Sequence, residues 1–165
     1  MAVMQSLRGT LRALRPPEID DFGLAHSLSA LVMERQRLSG GLQIRLDIEG
    51  GLPELPATTA SHIYRVAQEA LTNVARHAGA RHAMVASRVL PDGPPPGGTR
   101  WLELTIEDDG TSVPTQAAEP AGNGLGLIGM RERMMALGGK LEAAHRPEGG
   151  YRVRALIPVP AAPPT

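Results

Sequence analysis

The chain has 165 residues, enough for one domain built on a single core. Lys+Arg and Asp+Glu both total 17, so the formal net charge is zero and a whole-protein basic field for nucleic acid is excluded. The absence of Cys rules out disulfides and thiolate metal sites, and an aromatic content of 2% is too low for single-strand stacking platforms.

Met1 to Leu14 is predicted helical, with Val3, Leu7, Leu11 and Leu14 on one stripe. Arg15-Pro16-Pro17 ends it, because a residue before proline avoids the helical region. Ile19 to Gly23 reads as a turn. Leu24 to Leu38 reads as an amphipathic helix patterned by Leu24, Leu28, Leu31, Val32 and Arg35, and stopped by Gly40-Gly41. Leu42 to Ile48 alternates apolar and polar residues as a half-buried strand does.

Thr58 to Ala78 is the clearest helix, its apolar face made of Ile63, Val66, Ala67, Ala70, Leu71, Val74 and Ala78. His82 to Leu90 and Trp101 to Glu107 are predicted strands, separated by a Pro/Gly-rich loop. Asp109 to Gly124 reads as a mobile loop, Leu125 to Leu137 as a helix closed by Gly138-Gly139. Lys140 to Ala144 and Tyr151 to Val159 read as two last strands, and the Pro/Ala tail as frayed. Two strands are consecutive in two places, so a regular alternating βαβ fold is excluded.

Three segments carry candidate chemistry. In Gly122-Asn123-Gly124-Leu125-Gly126-Leu127, glycines on alternate positions open a helix, leaving backbone N–H groups unshielded beside a partial positive charge. That is a phosphate-binding device. On the long helix, Glu69, Asn73 and His77 fall at i, i+4 and i+8 beside the apolar face. An amide oxygen next to a carboxylate suits Mg²⁺ accompanied by phosphates; a solvated polar face is the other reading. In Leu104-Thr105-Ile106-Glu107-Asp108-Asp109-Gly110, a strand ends in carboxylates and glycine. An acid there can accept from an exocyclic amino group such as adenine's, or the Asp-Gly pair can simply make a turn.

In this order the segments resemble the GHKL ATPases, which include histidine kinases, the gyrase and Hsp90 ATPase domains, and anti-sigma kinases. Glu69-Ala70-Leu71-Thr72-Asn73 resembles the N box, Asp108-Asp109-Gly110 the G1 box, and Gly122 to Gly126 the G2 box. "LRALRPPEIDDFGLAHSL", "YRVAQEALTNVARHAGA" and "GNGLGLIGMRERMMALGG" are similar to the sensor kinases of the NarX/DesK-like subfamily, which serve LuxR-type response regulators. The likeness runs from about Leu7 to Pro158.

The resemblance implies an α/β two-layer sandwich (the Bergerat, or GHKL ATPase, fold): a mixed five-stranded sheet with three helices on one face and ATP between helices and lid. It implies Asn73 as the Mg²⁺ ligand and Glu69 as the acidic residue that orders metal and water, these two being the catalytic pair. His77 becomes a basic group near the phosphates, and Asp108 the reader of the adenine amino group. Gly110 lets the backbone pass close to the ring, Gly122, Gly124 and Gly126 with Leu127 meet the phosphates, and residues 111–121 form the lid. Two departures stand out: Ser112 occupies the usual place of a second G1 glycine, and Tyr151 follows Gly150 where the family often has Thr.

The phosphoacceptor histidine of such a kinase is absent before Arg15, and His26, His62, His82 and His145 read as structural or surface residues. The implied reading is the catalytic domain of a protein-histidine kinase, with residues 1–21 as the end of a dimerisation helix and linker, 22–160 as the ATP-binding domain and 161–165 as tail. Implied partners are ATP, a dimerisation domain bearing the histidine and a LuxR-type response regulator, with no direct nucleic acid. An anti-sigma-type serine kinase and a non-catalytic docking module are the alternatives. No apolar run approaches the roughly 20 residues that span a bilayer and no signal peptide is visible; with the lack of Cys this suits a cytoplasmic setting, the alternative being a full-length kinase anchored in a membrane.

Overall fold

The computed structural model describes residues 17–77, 79–91, 99–111 and 125–159. The element order is α1 (Pro17–Leu38), β1 (Gln43–Ile48), α2 (Ala57–His77), β2 (His82–Leu90), β3 (Arg100–Asp108), α3 (Leu125–Ala136), β4 (Lys140–His145) and β5 (Tyr151–Val159). The bounds follow the hydrophobic periodicities closely, except at the start of α1. The turn expected at Ile19 to Gly23 is helical, and Gly23 breaks the run with φ 78° and ψ 168°. Glycine takes that left-handed backbone without a Cβ clash. Ile19 accounts for the extra turn, since it is buried in the core and a looser chain would leave it in water. The expected helix at Met1 to Leu14, most of the lid and the tail lie outside the described residues.

The sheet has five strands in the order β1-β2-β3-β5-β4. β1 and β2 run parallel, joined through α2, and the other three pairings are antiparallel, so the sheet is mixed as expected. β1 is an edge strand, and the Gln36 side chain of α1 covers part of that edge by accepting from the Ile44 N–H at 2.8 Å. Parity then sorts the faces. Leu102, Leu104 and Ile106 of β3 are 0–2% exposed, as are Ala155 and Ile157 of β5. They meet the α2 stripe Ile63, Val66, Ala67, Ala70, Leu71 and Val74, six of the predicted positions, all buried; the seventh, Ala78, lies outside the described residues. Each large side chain so buried contributes roughly 1.5–3 kcal/mol.

α1 packs on α2 and β1, and α3 on α2, β4 and β5. The three helices therefore cover one face. α3 contributes a narrower stripe, Met130 and Met134 fully buried with Leu127 and Leu137 beside them. The other sheet face is charged. Arg88 and Arg154 both donate to Glu103, Arg154 reaches on to Glu142 at 3.2 Å, and Arg152 donates to Glu107. Among the described residues no helix is long and apolar enough to cross a membrane.

Candidate functional site

The predicted residues that can be located fall on the helix-covered face. Asp108 ends β3 with the same parity as Leu104 and Ile106, so its side chain belongs to the face that α2 and α3 cover, and it is 5% exposed. Its Oδ1 accepts the Gly110 N–H at 2.8 Å. The segment thus makes a turn and buries a carboxylate at once, because an Asx side chain can bond the backbone two residues on.

Asp109 does different work. Its Oδ1 accepts the backbone N–H groups of Arg81 and His82, both at 2.9 Å, and its Oδ2 lies 2.7 Å from His82 Nδ1. The His82 backbone N–H, with further help from the His82 ring and the Arg81 N–H, holds the Asp109 carboxyl down at about 2. Asp109 ties the end of β3 to the start of β2. Asp108 is left to face the helices.

On α2, Glu69 and Asn73 are half-buried, one turn apart on the ridge beside the apolar stripe. Glu69 meets the first turn of α3. A Cβ built on Gly126 would stand 2.5 Å from Glu69 Oε1 and 3.3 Å from Cδ, so only glycine admits the carboxylate there. The first turn of α3 carries no acidic residue of its own, which leaves its partial positive charge for an anion supplied from elsewhere. Leu127 follows, half-buried against the core. His77 is the last residue of α2, and its side chain lies outside the described ones, as do Gly122 and Gly124.

Tyr151 adds to this face. Glu107 pairs with Arg152, so the next step of the register sets Tyr151 beside Asp108. Its ring packs edge-on to His145 at 4.9 Å, and burial pushes the phenol pKa up. The remaining histidines behave as supports. The His26 ring lies 5.0 Å from that of Phe22. Burial, then the nearby Arg133 charge, holds His62 below its ordinary value, so its ring favours the neutral form.

Two positions have sequence signals too weak to single them out. The Arg146 side chain donates to the Asp108 carbonyl oxygen at 3.2 Å, and a Cβ on Gly150 would run into that same carbonyl. Gly150 enters the sequence reading only as the residue that Tyr151 follows, and Arg146 does not enter it. A shallow cavity of about 490 Å³, lined in part by Gln43, Arg45, Met84 and Arg146, opens on the charged sheet face. Gln36, Asp108 and Asp109 also line it, so it reaches the end of β3 that carries the predicted carboxylate.

The donor set fits a nucleotide with its metal. Among the described residues no cluster of three or more His, Asp or Glu side chains could hold a metal alone. A single amide oxygen plus phosphates and water is the ligand supply that Mg²⁺ accepts.

Residues 58–161 match the family described as histidine kinase-, DNA gyrase B-, and HSP90-like ATPase. The chain is 36% identical over 146 residues to the signal transduction histidine-protein kinase/phosphatase UhpB of Salmonella typhimurium, an alignment covering 86% of the chain and 26% of UhpB. It is 33% identical over 156 residues to the sensor histidine kinase MctS of Rhizobium johnstonii, covering 94% of the chain and 32% of MctS. Among solved structures, the blue-light activated histidine kinase of Erythrobacter litoralis aligns with a TM-score of 0.59 at 26% identity, over 82% of this chain and 44% of that one. The chain spans a quarter to a third of the length of these two curated relatives.

Proposed function

The chain belongs to the histidine kinase-, DNA gyrase B-, and HSP90-like ATPase family, and we propose that it is the ATP-binding catalytic part of a sensor histidine kinase of the NarX/DesK-like type. Its substrate is Mg-ATP, bound between α2, α3 and the end of β3. The phosphoryl acceptor is a histidine on a dimerisation segment, and the next acceptor is the aspartate of a LuxR-type response regulator.

Each residue has one task in this reading. Asp108 accepts a hydrogen bond from the adenine amino group, and Gly110 keeps the backbone beside the ring free of a Cβ. Gly122, Gly124, Gly126 and Leu127 present the start of α3 to the phosphates. Asn73 would hold Mg²⁺, which when bound neutralises phosphate charge. Glu69 orders water and metal, and His77 adds a basic group. No covalent group on this domain takes part, so its share of catalysis is positioning and charge neutralisation.

What supports the reading most is the seam between Glu69 and Gly126, which joins the ridge carrying Asn73 to the opening turn of α3. Calorimetry of the chain with Mg-ATP tests it. Saturable, Mg²⁺-dependent binding is expected, and no binding at millimolar nucleotide would overturn the assignment. With a histidine-bearing acceptor added, the phosphorylated product should be acid-labile; an acid-stable product would indicate a serine kinase.

A further inference from the structure

The Asp108–Asp109 peptide is gripped from the charged face of the sheet, opposite the helices. Arg146 sits at the end of β4, and its backbone closes a tight turn: its N–H donates to the Gly150 oxygen and its oxygen accepts from Gly149 N–H, both at 3.0 Å. Gly149 and Gly150 have φ of 103° and 86°, so the turn demands glycine at both positions. From this anchor the Arg146 Nη1 donates to the Asp108 carbonyl oxygen at 3.2 Å. Nη2 lies 2.6 Å from Glu148 Oε1 and 3.7 Å from Glu107 Oε2, which fixes the plane of the guanidinium.

Gly150 closes the other side. A Cβ there would collide with the Asp108 carbonyl oxygen and stand 2.7 Å from its carbon. At the far end of the same peptide, Asp109 N–H donates to the His82 oxygen at 3.1 Å. The peptide that carries Asp108 is therefore held at its oxygen, at its N–H and along one face. Arg146 Nε is buried with no hydrogen-bond partner, a destabilising arrangement that the fold nevertheless retains.

We propose that Arg146, seated on Gly150, is a positioning residue that aims the Asp108 carboxylate at the nucleotide base and so sets base selectivity from across the sheet. This rests on the reading of Asp108 as the acceptor for the adenine amino group. Arg146 itself faces away from α2 and α3, so it acts only through the peptide it grips. A rigid peptide matters because a hydrogen bond weakens steeply when its acceptor is displaced or turned.

The test compares binding of Mg-ATP with Mg-ITP, whose base has an oxygen where adenine has its amino group, by calorimetry on the whole chain. The wild type should prefer ATP. Arg146→Ala should lower ATP affinity by roughly five- to tenfold, leave ITP affinity nearly unchanged and so collapse the preference. Arg146→Lys keeps the charge opposite Glu107 without the planar fork and should give an intermediate preference; it also serves if the alanine variant does not fold. An undiminished ATP/ITP ratio in a folded Arg146 variant overturns the clasp. Asp108→Asn separates the two readings. If it removes the preference while the Arg146 variants keep it, the clasp alone fails. If it leaves the preference intact, Asp108 is not the base reader and both readings fall.

Discussion

The Glu69 carboxylate of α2 fills the space beside Gly126 of α3 where any other residue would carry a Cβ, with Oε1 2.5 Å from that point. The clash in a Gly126→Ala variant would be with the free end of a flexible side chain, which can swing away. Alanine also favours a helix over glycine by up to about 1 kcal/mol. Gly126→Ala should therefore melt no lower than the wild type, yet bind Mg-ATP several-fold more weakly because Glu69 and the opening turn of α3 no longer fit together. Thermal melts and calorimetry on one preparation check both halves. A lower melting temperature with unchanged affinity would show the contact to be packing alone.

Asp108 supports a cleaner substitution. In Asp108→Asn the Oδ1 can still accept the Gly110 N–H, so the turn survives. The second position then presents an NH₂ donor to another donor on adenine. ATP affinity should fall about 10- to 100-fold, in line with roughly 1–3 kcal/mol for an unpaired buried group, while circular dichroism and melting stay near wild type. Calorimetry showing undiminished ATP affinity would refute the assignment.

What the sequence made legible was periodic. The α2 stripe from Ile63 to Val74 is buried as predicted, because an apolar face at helical spacing has no alternative in water. Asp108 is singled out in the sequence by the resemblance alone; the strand runs one residue further than expected, and its alternation through Leu104 and Ile106 is what puts Asp108, not Asp109, on the helix side. The Ile19 to Gly23 stretch looks like a turn in sequence because local chemistry cannot register that Ile19 has core to enter. The Arg146 contact with Asp108 joins residues 38 apart, and only the order in which β3, β5 and β4 lie side by side brings them together. Composition records the Gly149-Gly150 turn but not what the turn is built against.

Asn73→Ala isolates the metal. Asn73 is half-buried outside the core stripe, and alanine is the better helix former, so the fold should be retained. The difference between ATP affinity in Mg²⁺ and in EDTA should disappear, because the chain's own oxygen ligand is gone. Calorimetry under both conditions decides it. A strong metal effect that persists would assign the cation to other ligands.

The acid limit of stability is set in part on the opposite face. Glu103 is 5% exposed, accepts from Arg88 Nε at 2.7 Å and also accepts from Arg154 Nε. Burial pushes its carboxyl pKa up, but the bonds and charges of Arg154 and Arg88 outweigh that and hold it below the ordinary value. A carboxyl with a lowered folded pKa is protonated first in the unfolded chain. Its contribution is therefore complete above the ordinary range, about pH 4, and is lost as pH falls through the lowered folded value. Glu103→Gln should destabilise the protein at pH 7 by about 1–2 kcal/mol, a figure reduced because Arg88 is solvent-exposed. That gap from wild type should narrow steadily between pH 5 and pH 3 in urea titrations. A gap that stays constant over this range would mean the carboxylate charge contributes nothing and only its shape matters.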